Sequence, residues 1–191
     1  MQLKLRNLLN KKLLFKTILT FPLLLTFYPV FVKSTKAAIE FQWNGDENYK
    51  QLKWHQKNPT KMAKNKIFFF LRPSDRNTGL IKIYIKIPDN FKSTLKTKNI
   101  NLCEVNVGGF DSRTKCLKNI PSDIEITNGG KNIDIYPLAP VPSSKDSYAV
   151  VFKIVNPQKA GLYQFHSFGK SSGTIPVSSY IGSWTIKINQ L

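Results

Sequence analysis

The sequence predicts an all-β protein, an antiparallel β-sandwich of about eight strands that follows an N-terminal signal segment. Short runs rich in Ile, Val, Phe and Tyr alternate with clusters of Gly, Pro, Asn, Asp and Ser, which is typical of strands joined by turns. No long window after the signal segment has a strong helical period. Because a parallel sheet needs helical crossovers, the strands are expected to pair antiparallel, in a sandwich rather than the alternative barrel.

The predicted strands are short apolar runs bounded by turn residues. In the clearest one, residues 80–87, the side chains of Ile81, Ile83 and Ile85 alternate with polar ones, so one face packs inward and the other meets water. Asn128-Gly129-Gly130 predicts a hairpin turn, because Asn and Gly accept positive φ. The eight predicted strands are residues 67–71, 80–87, 100–107, 124–127, 132–136, 148–155, 162–168 and 180–188.

The first 37 residues predict a cleaved signal peptide. Residues 1–16 carry five positive charges, and residues 17–32 are uncharged and mostly apolar, as in the n-region and h-region of an export signal. Thr35 and Ala37 supply small residues at alternate positions before the predicted cleavage after Ala37. We therefore expect residues 1–37 to be removed and the mature protein to be exported to the periplasm, the cell envelope or the exterior.

An uncleaved membrane anchor is the alternative for the same segment. A membrane-spanning helix needs roughly 20 apolar residues to cross about 30 Å of hydrocarbon, whereas these sixteen uncharged residues reach only about 24 Å. Pro22 and Pro29 also interrupt the helical hydrogen bonds. Lys33 and Lys36 favour the anchor, because positive charge just past an apolar segment resists translocation.

Basic residues outnumber acidic ones, 29 to 11, and give a formal net charge of +18. Residues 1–37 hold seven basic residues and no acidic one, so the predicted mature chain keeps 22 basic against 11 acidic residues, a net charge of +11. A field of this sign favours anionic partners. Lys outnumbers Arg, which argues against bidentate recognition of phosphate or bases, and we expect no sequence-specific nucleic-acid binding.

Residues 38–66 predict a basic, aromatic lead-in that precedes a sandwich domain at residues 67–191. The lead-in is polar and rich in loop residues, with one short strand expected at 39–43. Its lysines are interleaved with aromatic residues, which suits polyanions or a membrane interface because ammonium groups neutralise anions while rings stack. A solvated loop is the alternative. The predicted anion-binding residues are Lys50, Lys53, Trp54 and Lys57, with anionic envelope glycan or lipid headgroups as the expected partners.

Cys103 and Cys116 are the only cysteines of the chain. Structural disulfides persist in the compartments that exported proteins reach, and two cysteines allow one intramolecular pairing. Val107-Gly108-Gly109 lies between them and indicates a strand end and a turn, so a hairpin can bring the Cα atoms within the roughly 4.4 to 6.8 Å that a disulfide requires. We expect a disulfide, with two free buried thiols as the alternative.

No residue pattern specifies a reaction, a metal or a cofactor. His55 and His166 are 111 positions apart without a nearby cluster of carboxylates or thiols, which argues against a zinc site. The sequence contains no phosphate loop, dinucleotide fingerprint or Gly-x-Ser-x-Gly turn. We therefore expect no cofactor and a non-catalytic exported protein. The alternative is an envelope hydrolase whose site is assembled from loops, which a deep pocket of titratable residues with perturbed pKa would favour.

A series of motifs between residues 80 and 188 resembles a known family. In chain order they are Ile87-Pro88, Leu138-Ala139-Pro140-Val141-Pro142, Asn156-Pro157, Gly161-Leu162-Tyr163-Gln164-Phe165 and Tyr180-Ile181-Gly182. In order and spacing this part of the chain is similar to a family of uncharacterised exported proteins from cyanobacteria, domain of unknown function 2808. The resemblance implies an exported β-sandwich and no activity, since the family has no defined site and a fold alone supplies none. The paired cysteines and the basic lead-in depart from the family's usual pattern.

Overall fold

Ten strands, all paired antiparallel, form two sheets of five strands that pack face to face, which confirms the predicted sandwich. The computed structural model describes residues 50–109, 111–173 and 177–190. The predicted signal peptide and the strand expected at 39–43 lie outside these residues. Within them there are no α-helices, and three short 3-10 turns are present.

The eight predicted strands are all present, with ends that differ by up to three residues. Sheet one has the strand order β1-β2-β8-β4-β5, and sheet two has the order β10-β9-β3-β7-β6. Asn128, Gly129 and Gly130 form the turn between β6 and β7 with φ angles of 51°, 63° and 89°. The strands are β1 (Trp54–Gln56), β2 (Lys64–Leu71), β3 (Leu80–Lys86), β4 (Ile100–Asn106), β5 (Lys115–Ile120), β6 (Ser122–Thr127), β7 (Asn132–Pro137), β8 (Tyr148–Val155), β9 (Gly161–Ser171) and β10 (Ser178–Ile188).

Two strands, β1 and β5, were not predicted. β5 is an edge strand with four of its six residues exposed, so it lacks the alternation of a half-buried strand. β1 lies inside the predicted lead-in, where it pairs with β2. Leu52, just before β1, is 1% exposed and belongs to the main core. The structure therefore differs from the predicted boundary at residue 67: the described part of the lead-in is built into the sandwich.

The core between the sheets is centred on Phe69 of β2. Its ring centroid lies 4.9 Å from that of Trp184, 5.0 Å from that of Phe152 and 5.0 Å from that of Phe165. The Trp184 indole N–H donates a 3.0 Å hydrogen bond to the carbonyl oxygen of Phe70, so β10 of sheet two is bonded to β2 of sheet one. Buried indoles need such an acceptor, and this one joins the two sheets at the centre of the core.

The lead-in runs along the edge of β10 before it enters sheet one. The Leu52 N–H donates to the Ser183 carbonyl oxygen, and the Ser183 N–H donates to the Lys50 carbonyl oxygen, both at 2.8 Å. Gly182 permits this approach: it has a φ of 151°, and a Cβ there would lie 2.7 Å from both the Lys50 oxygen and Leu52 Cγ. The glycine of the late Tyr-Ile-Gly motif therefore admits the lead-in against β10.

A buried amide network fixes the second half of the lead-in. Asn156, only 2% exposed, donates from Nδ2 to the carbonyl oxygens of Asn58 at 2.9 Å and Thr60 at 2.7 Å. Its Oδ1 accepts a 3.0 Å hydrogen bond from Asn65 Nδ2, and Asn65 Oδ1 accepts the Asn58 N–H at 3.0 Å. Since buried carbonyls need donors, the asparagine of the Asn-Pro motif has a structural role.

Cys103 of β4 and Cys116 of β5 form the predicted disulfide, with Cα atoms 5.7 Å apart. The two residues are not direct partners in the ladder. Cys103 lies opposite Asn119 and Cys116 lies opposite Val105, because the register of β4 and β5 shifts after Glu104. The disulfide therefore ties the edge strand β5 to its neighbour across an irregular stretch of pairing.

Replacing Asn156 should destabilise the domain. We expect Asn156→Ala to lower the free energy of unfolding by about 2–3 kcal/mol, because the carbonyls of Asn58 and Thr60 and the amide of Asn65 are left without a buried partner. The measurement is urea unfolding followed by tryptophan fluorescence. Asn119→Ala, which removes an exposed amide, is the matched control and should change the free energy by less than about 0.5 kcal/mol. Equal effects of the two variants would contradict a structural role for Asn156.

Removing the disulfide should also destabilise the domain. We expect Cys103→Ala/Cys116→Ala to lower the free energy of unfolding by about 3 kcal/mol, because the unfolded chain regains the entropy of a closed loop. Urea unfolding with and without a reducing agent measures this: the reductant should destabilise the wild type and leave the variant unchanged. Quantitative alkylation of both thiols in the unreduced secreted protein would contradict the disulfide.

Candidate functional site

A cleft of about 930 Å³ opens at one end of the sandwich and is lined by lysines. Its walls come from the start of β2, the end of β8, the loop that crosses from β3 to β4, and the turn between β8 and β9. Asparagine, serine and threonine side chains lie between the charged groups. The six lysines of this basic cleft, all of them exposed, are Lys64, Lys92, Lys96, Lys98, Lys153 and Lys159.

The crossing loop carries three of these lysines and is fastened at two points. Phe91 is buried in the core, with its ring centroid 5.1 Å from that of Tyr163 and 5.0 Å from that of Phe165. Ser93 Oγ donates a 2.6 Å hydrogen bond to the Val155 carbonyl oxygen at the end of β8. Because these two neighbours of Lys92 are held, the loop presents its lysines over sheet one from a fixed base.

The opposite wall is the turn after β8, which is also bonded to the framework. The Asn156 N–H donates to the Ala63 carbonyl oxygen at 2.9 Å, and the Tyr163 hydroxyl donates to the Lys159 carbonyl oxygen at 2.7 Å. Main-chain and hydroxyl donors thus anchor the turn while the Lys159 side chain stays exposed. The cleft is therefore formed by backbone that the sandwich itself holds in place.

The basic cleft carries charge of one sign only, since its lining contains six lysines and no carboxylate. Protein surfaces ordinarily intersperse both signs of charge. Asp89 is on the crossing loop but outside the lining of the cleft; it is paired with Lys131 at 2.8 Å, and the charges of Lys86 and Lys92 also help to lower its pKa. Among the described residues, the ion pairs use Lys50, Arg72, Lys82 and Lys131, and none uses a lysine of the cleft. The cleft can therefore neutralise several negative charges of a ligand.

The structure does not bring the four predicted anion-binding residues together on one surface. Lys50 Nζ donates to the Ser74 carbonyl oxygen at 3.1 Å and lies 3.8 Å from the Asp75 carboxylate. Trp54 packs against the main core, so its ring does not stack where the lysines are exposed. Lys53 and Lys57 are exposed.

Lys57 belongs to a different group, the basic row, which consists of Lys57, Lys66 and Lys153. The Lys57 N–H donates to the Lys66 carbonyl oxygen at 3.1 Å, and Lys66 is paired directly with Lys153 across β2 and β8. The side chains of Lys66 and Lys153 lie on the outer face of sheet one, since their strand neighbours Ile67 and Phe152 point into the core, and Lys57, just after β1, is close enough for its charge to act on Lys66. Burial lowers the pKa of Lys66, and the charges of Lys153 and Lys57 lower it further.

Sequence reasoning missed the basic cleft because its lysines are spread from residue 64 to residue 159. One signal was available: residues 90–99 contain three lysines and no acidic residue, although a run of this kind is ordinarily a solvated loop. The structure joins this run to Lys64 and Lys153 because β2 pairs with β8. Strand register, which is not readable from spacing, creates the cleft.

The nearest approach to a hydrolytic arrangement is the pair His166 and Ser183, opposite each other on β9 and β10. His166 Nδ1 lies 2.7 Å from Ser183 Oγ, and the Tyr180 hydroxyl lies 2.6 Å from the same oxygen. Burial, and to a smaller extent Lys86, lower the pKa of His166. Ser183 is 0% exposed. A substrate carbonyl therefore cannot reach the hydroxyl in this arrangement.

Metal-binding groups and membrane-spanning helices are absent from the described part of the chain. In residues 50–109, 111–173 and 177–190, no three His, Cys, Asp or Glu side chains are grouped closely enough to hold a metal ion. The same stretches contain no helix of the length and hydropathy needed to cross a bilayer. The predicted signal or anchor segment is not among them.

Structural comparison finds partial similarity to several solved bacterial proteins at low sequence identity. The crystal structure of BslA, a bacterial hydrophobin, is 20% identical with a TM-score of 0.48, over 74% of this chain and 98% of that one. The collagen-binding domain of a Staphylococcus aureus adhesin is 17% identical with a TM-score of 0.38, over 70% and 95%. The collagen-binding subdomain of the Enterococcus faecalis surface protein ACE is 10% identical with a TM-score of 0.43, over 74% and 99%.

Sequence comparison gives a more specific result. No curated protein matches the chain. A family model described as a protein of unknown function, DUF2808, matches residues 41–188. The match starts well before residue 80 and takes in most of the lead-in, which the sequence resemblance had set apart as a departure from the family pattern. Because the match covers most of its length, the chain belongs to the DUF2808 family.

Proposed function

We propose that this protein is an exported, non-catalytic β-sandwich that binds anionic material of the cell envelope through its basic cleft. One observation carries the proposal: six exposed lysines converge on a cleft of about 930 Å³ whose lining includes no carboxylate. Gathering like charges costs free energy through mutual repulsion. An anionic ligand offsets that cost, whereas a merely solvated surface has no need of a one-signed lining.

Export is supported by two features of the chain. The Cys103–Cys116 disulfide is of the kind that persists in oxidising compartments outside the cytosol. Residues 1–37 have the charge and apolar pattern of an export signal. We propose cleavage after Ala37, with a membrane anchor as the alternative, and a location in the periplasm, the envelope or the exterior.

A non-catalytic role is supported by the chemistry of the cleft. The charged groups of its lining are all ammonium groups, and the lining includes no histidine or carboxylate, so it lacks a pair that can exchange protons with a substrate near pH 7. The Ser183–His166 pair is the arrangement that a hydrolase would need, but the Ser183 hydroxyl is fully buried. The cleft is therefore better suited to holding charge than to breaking bonds.

Lysine defines the kind of recognition that we propose. An ammonium group is a compact point charge on a flexible stem, without the planar fork by which arginine selects phosphate or carboxylate geometry. Binding should depend on the charge density of the ligand more than on the shape of its anionic group. Carboxylated or sulfated polysaccharide and anionic headgroups all meet this condition.

Removing three cleft lysines should weaken binding to an anionic polysaccharide. We expect Lys92→Gln/Lys96→Gln/Lys98→Gln to lower the affinity for polygalacturonate by at least about tenfold at about 50 mM salt, where screening is weak. The slope of log affinity against log salt should fall by about three, roughly one unit for each lysine that no longer neutralises an anionic group. Isothermal titration calorimetry at several salt concentrations measures both quantities.

The matched control removes three exposed lysines that lie outside the cleft. Lys115→Gln/Lys145→Gln/Lys187→Gln lowers the net charge equally and should change the affinity at about 150 mM salt by no more than about twofold, because the Debye length is then about 8 Å and charges outside the cleft are screened from the ligand. Thermal unfolding should be unchanged in both variants. Equal weakening by the two triple variants, or no binding of polygalacturonate and of phosphatidylglycerol vesicles by the wild type, would refute a role for the cleft.

A further inference from the structure

The basic row extends the basic cleft across sheet one, so that the positive surface is elongated along one line. Lys153 belongs to both, because it lines the cleft and is the direct strand partner of Lys66. Lys57 continues the row at the end of β1 through its hydrogen bond to Lys66. Since neighbouring strands lie about 4.8 Å apart, the row adds roughly 10 Å to the length of the cleft.

The charges of the basic row are crowded. Burial, Lys153 and Lys57 all act to lower the pKa of Lys66, and its ammonium lies 4.8 Å from the ring centroid of Phe68. In the described part of the chain no carboxylate forms an ion pair with any of the three lysines. A partner that offers one negative charge can neutralise only part of this row, whereas a chain of negative charges can neutralise all of it.

We propose that the ligand of this surface is a linear anionic polysaccharide that fills the basic cleft and continues along the basic row. This inference rests on the proposed function and adds the class and the minimum length of its ligand. A single sugar acid or headgroup fits within the cleft and leaves Lys57 and Lys66 uncontacted. A polymer gains affinity from each further charge that it places against the row.

The shape of the site favours a polysaccharide over a bilayer. The cleft is a concavity of about 930 Å³ between a loop and a turn, and a polysaccharide chain follows a concave surface more closely than a flat bilayer does. Along the row, the apolar side chains Phe68 and Val151 are buried, so hydrocarbon has nothing to contact there. Met62 and Val155 are exposed at the cleft, where the C–H face of a sugar ring can pack against them.

The test compares a short and a long form of one anionic glycan, trigalacturonate and polygalacturonate, on the full mature protein. We expect the wild type to bind polygalacturonate at least about tenfold more tightly, because further charges contact the row. Lys57→Gln/Lys66→Gln should remove most of that gain and leave the affinity for trigalacturonate within about twofold. Lys145→Gln/Lys187→Gln, two exposed lysines outside the surface, is the matched control and should change neither affinity.

Each outcome decides a different claim. If the row variant binds polygalacturonate as tightly as the wild type, the extended site is overturned while the cleft stands. If phosphatidylglycerol vesicles bind more tightly than polygalacturonate at equal charge, the ligand is a lipid surface and the inference fails. If neither galacturonate binds while phosphatidylglycerol vesicles do, the inference fails and the proposed function stands; if none of the three binds, both fail. Lys57→Gln alone keeps the test valid if Lys66→Gln disturbs folding, because Lys57 is exposed.

Discussion

The buried side chain of Asn156 is the constraint on which the rest of this surface depends. It supplies donors to two carbonyls of the lead-in and accepts from Asn65 of β2, and removing a buried hydrogen-bond partner costs about 1–3 kcal/mol. The loop that it holds follows directly on Lys57, whose N–H is bonded to Lys66. The Asn156 side chain therefore holds the lead-in in place and helps to keep Lys57 beside Lys66.

The bonded and packed backbone around the cleft keeps its lysines close together despite their mutual repulsion. The lysines of the basic cleft and basic row repel one another, and an unanchored loop would relax by moving them apart. The crossing loop cannot do so freely, because Phe91 is buried among the core rings and Ser93 is bonded to β8. The packing of the aromatic core thus offsets an arrangement of lysines whose mutual repulsion is unfavourable.

The fold was largely predictable from the sequence, and the site was not. Alternation along β3 and the Asn-Gly-Gly turn indicated antiparallel strands, and two cysteines in an exported chain indicated their disulfide. β5 escaped prediction because most of its residues are exposed. Trp54 was expected beside the lysines, but strand alternation turns it to the core. Predicting the cleft requires the register of β2 against β8. That register depends on long-range packing and cannot be read from the spacing of residues along the chain.

The exposed carboxylates of the edge strand β6 belong to sheet two, whereas the lysines of the basic cleft lie around β2 and β8 of sheet one. On sheet two, Asp123 and Glu125 are exposed on the edge strand β6, and Asp134 is paired with Lys82 at 2.6 Å. The lysines of the cleft, which form no ion pair among the described residues, lie around β2 and β8 of sheet one. Under the proposed function, the carboxylates of β6 repel a polyanion and the lysines of the cleft attract it, which favours an encounter at the cleft. Added salt should therefore slow association as well as weaken the complex, because both depend on the same unscreened lysines.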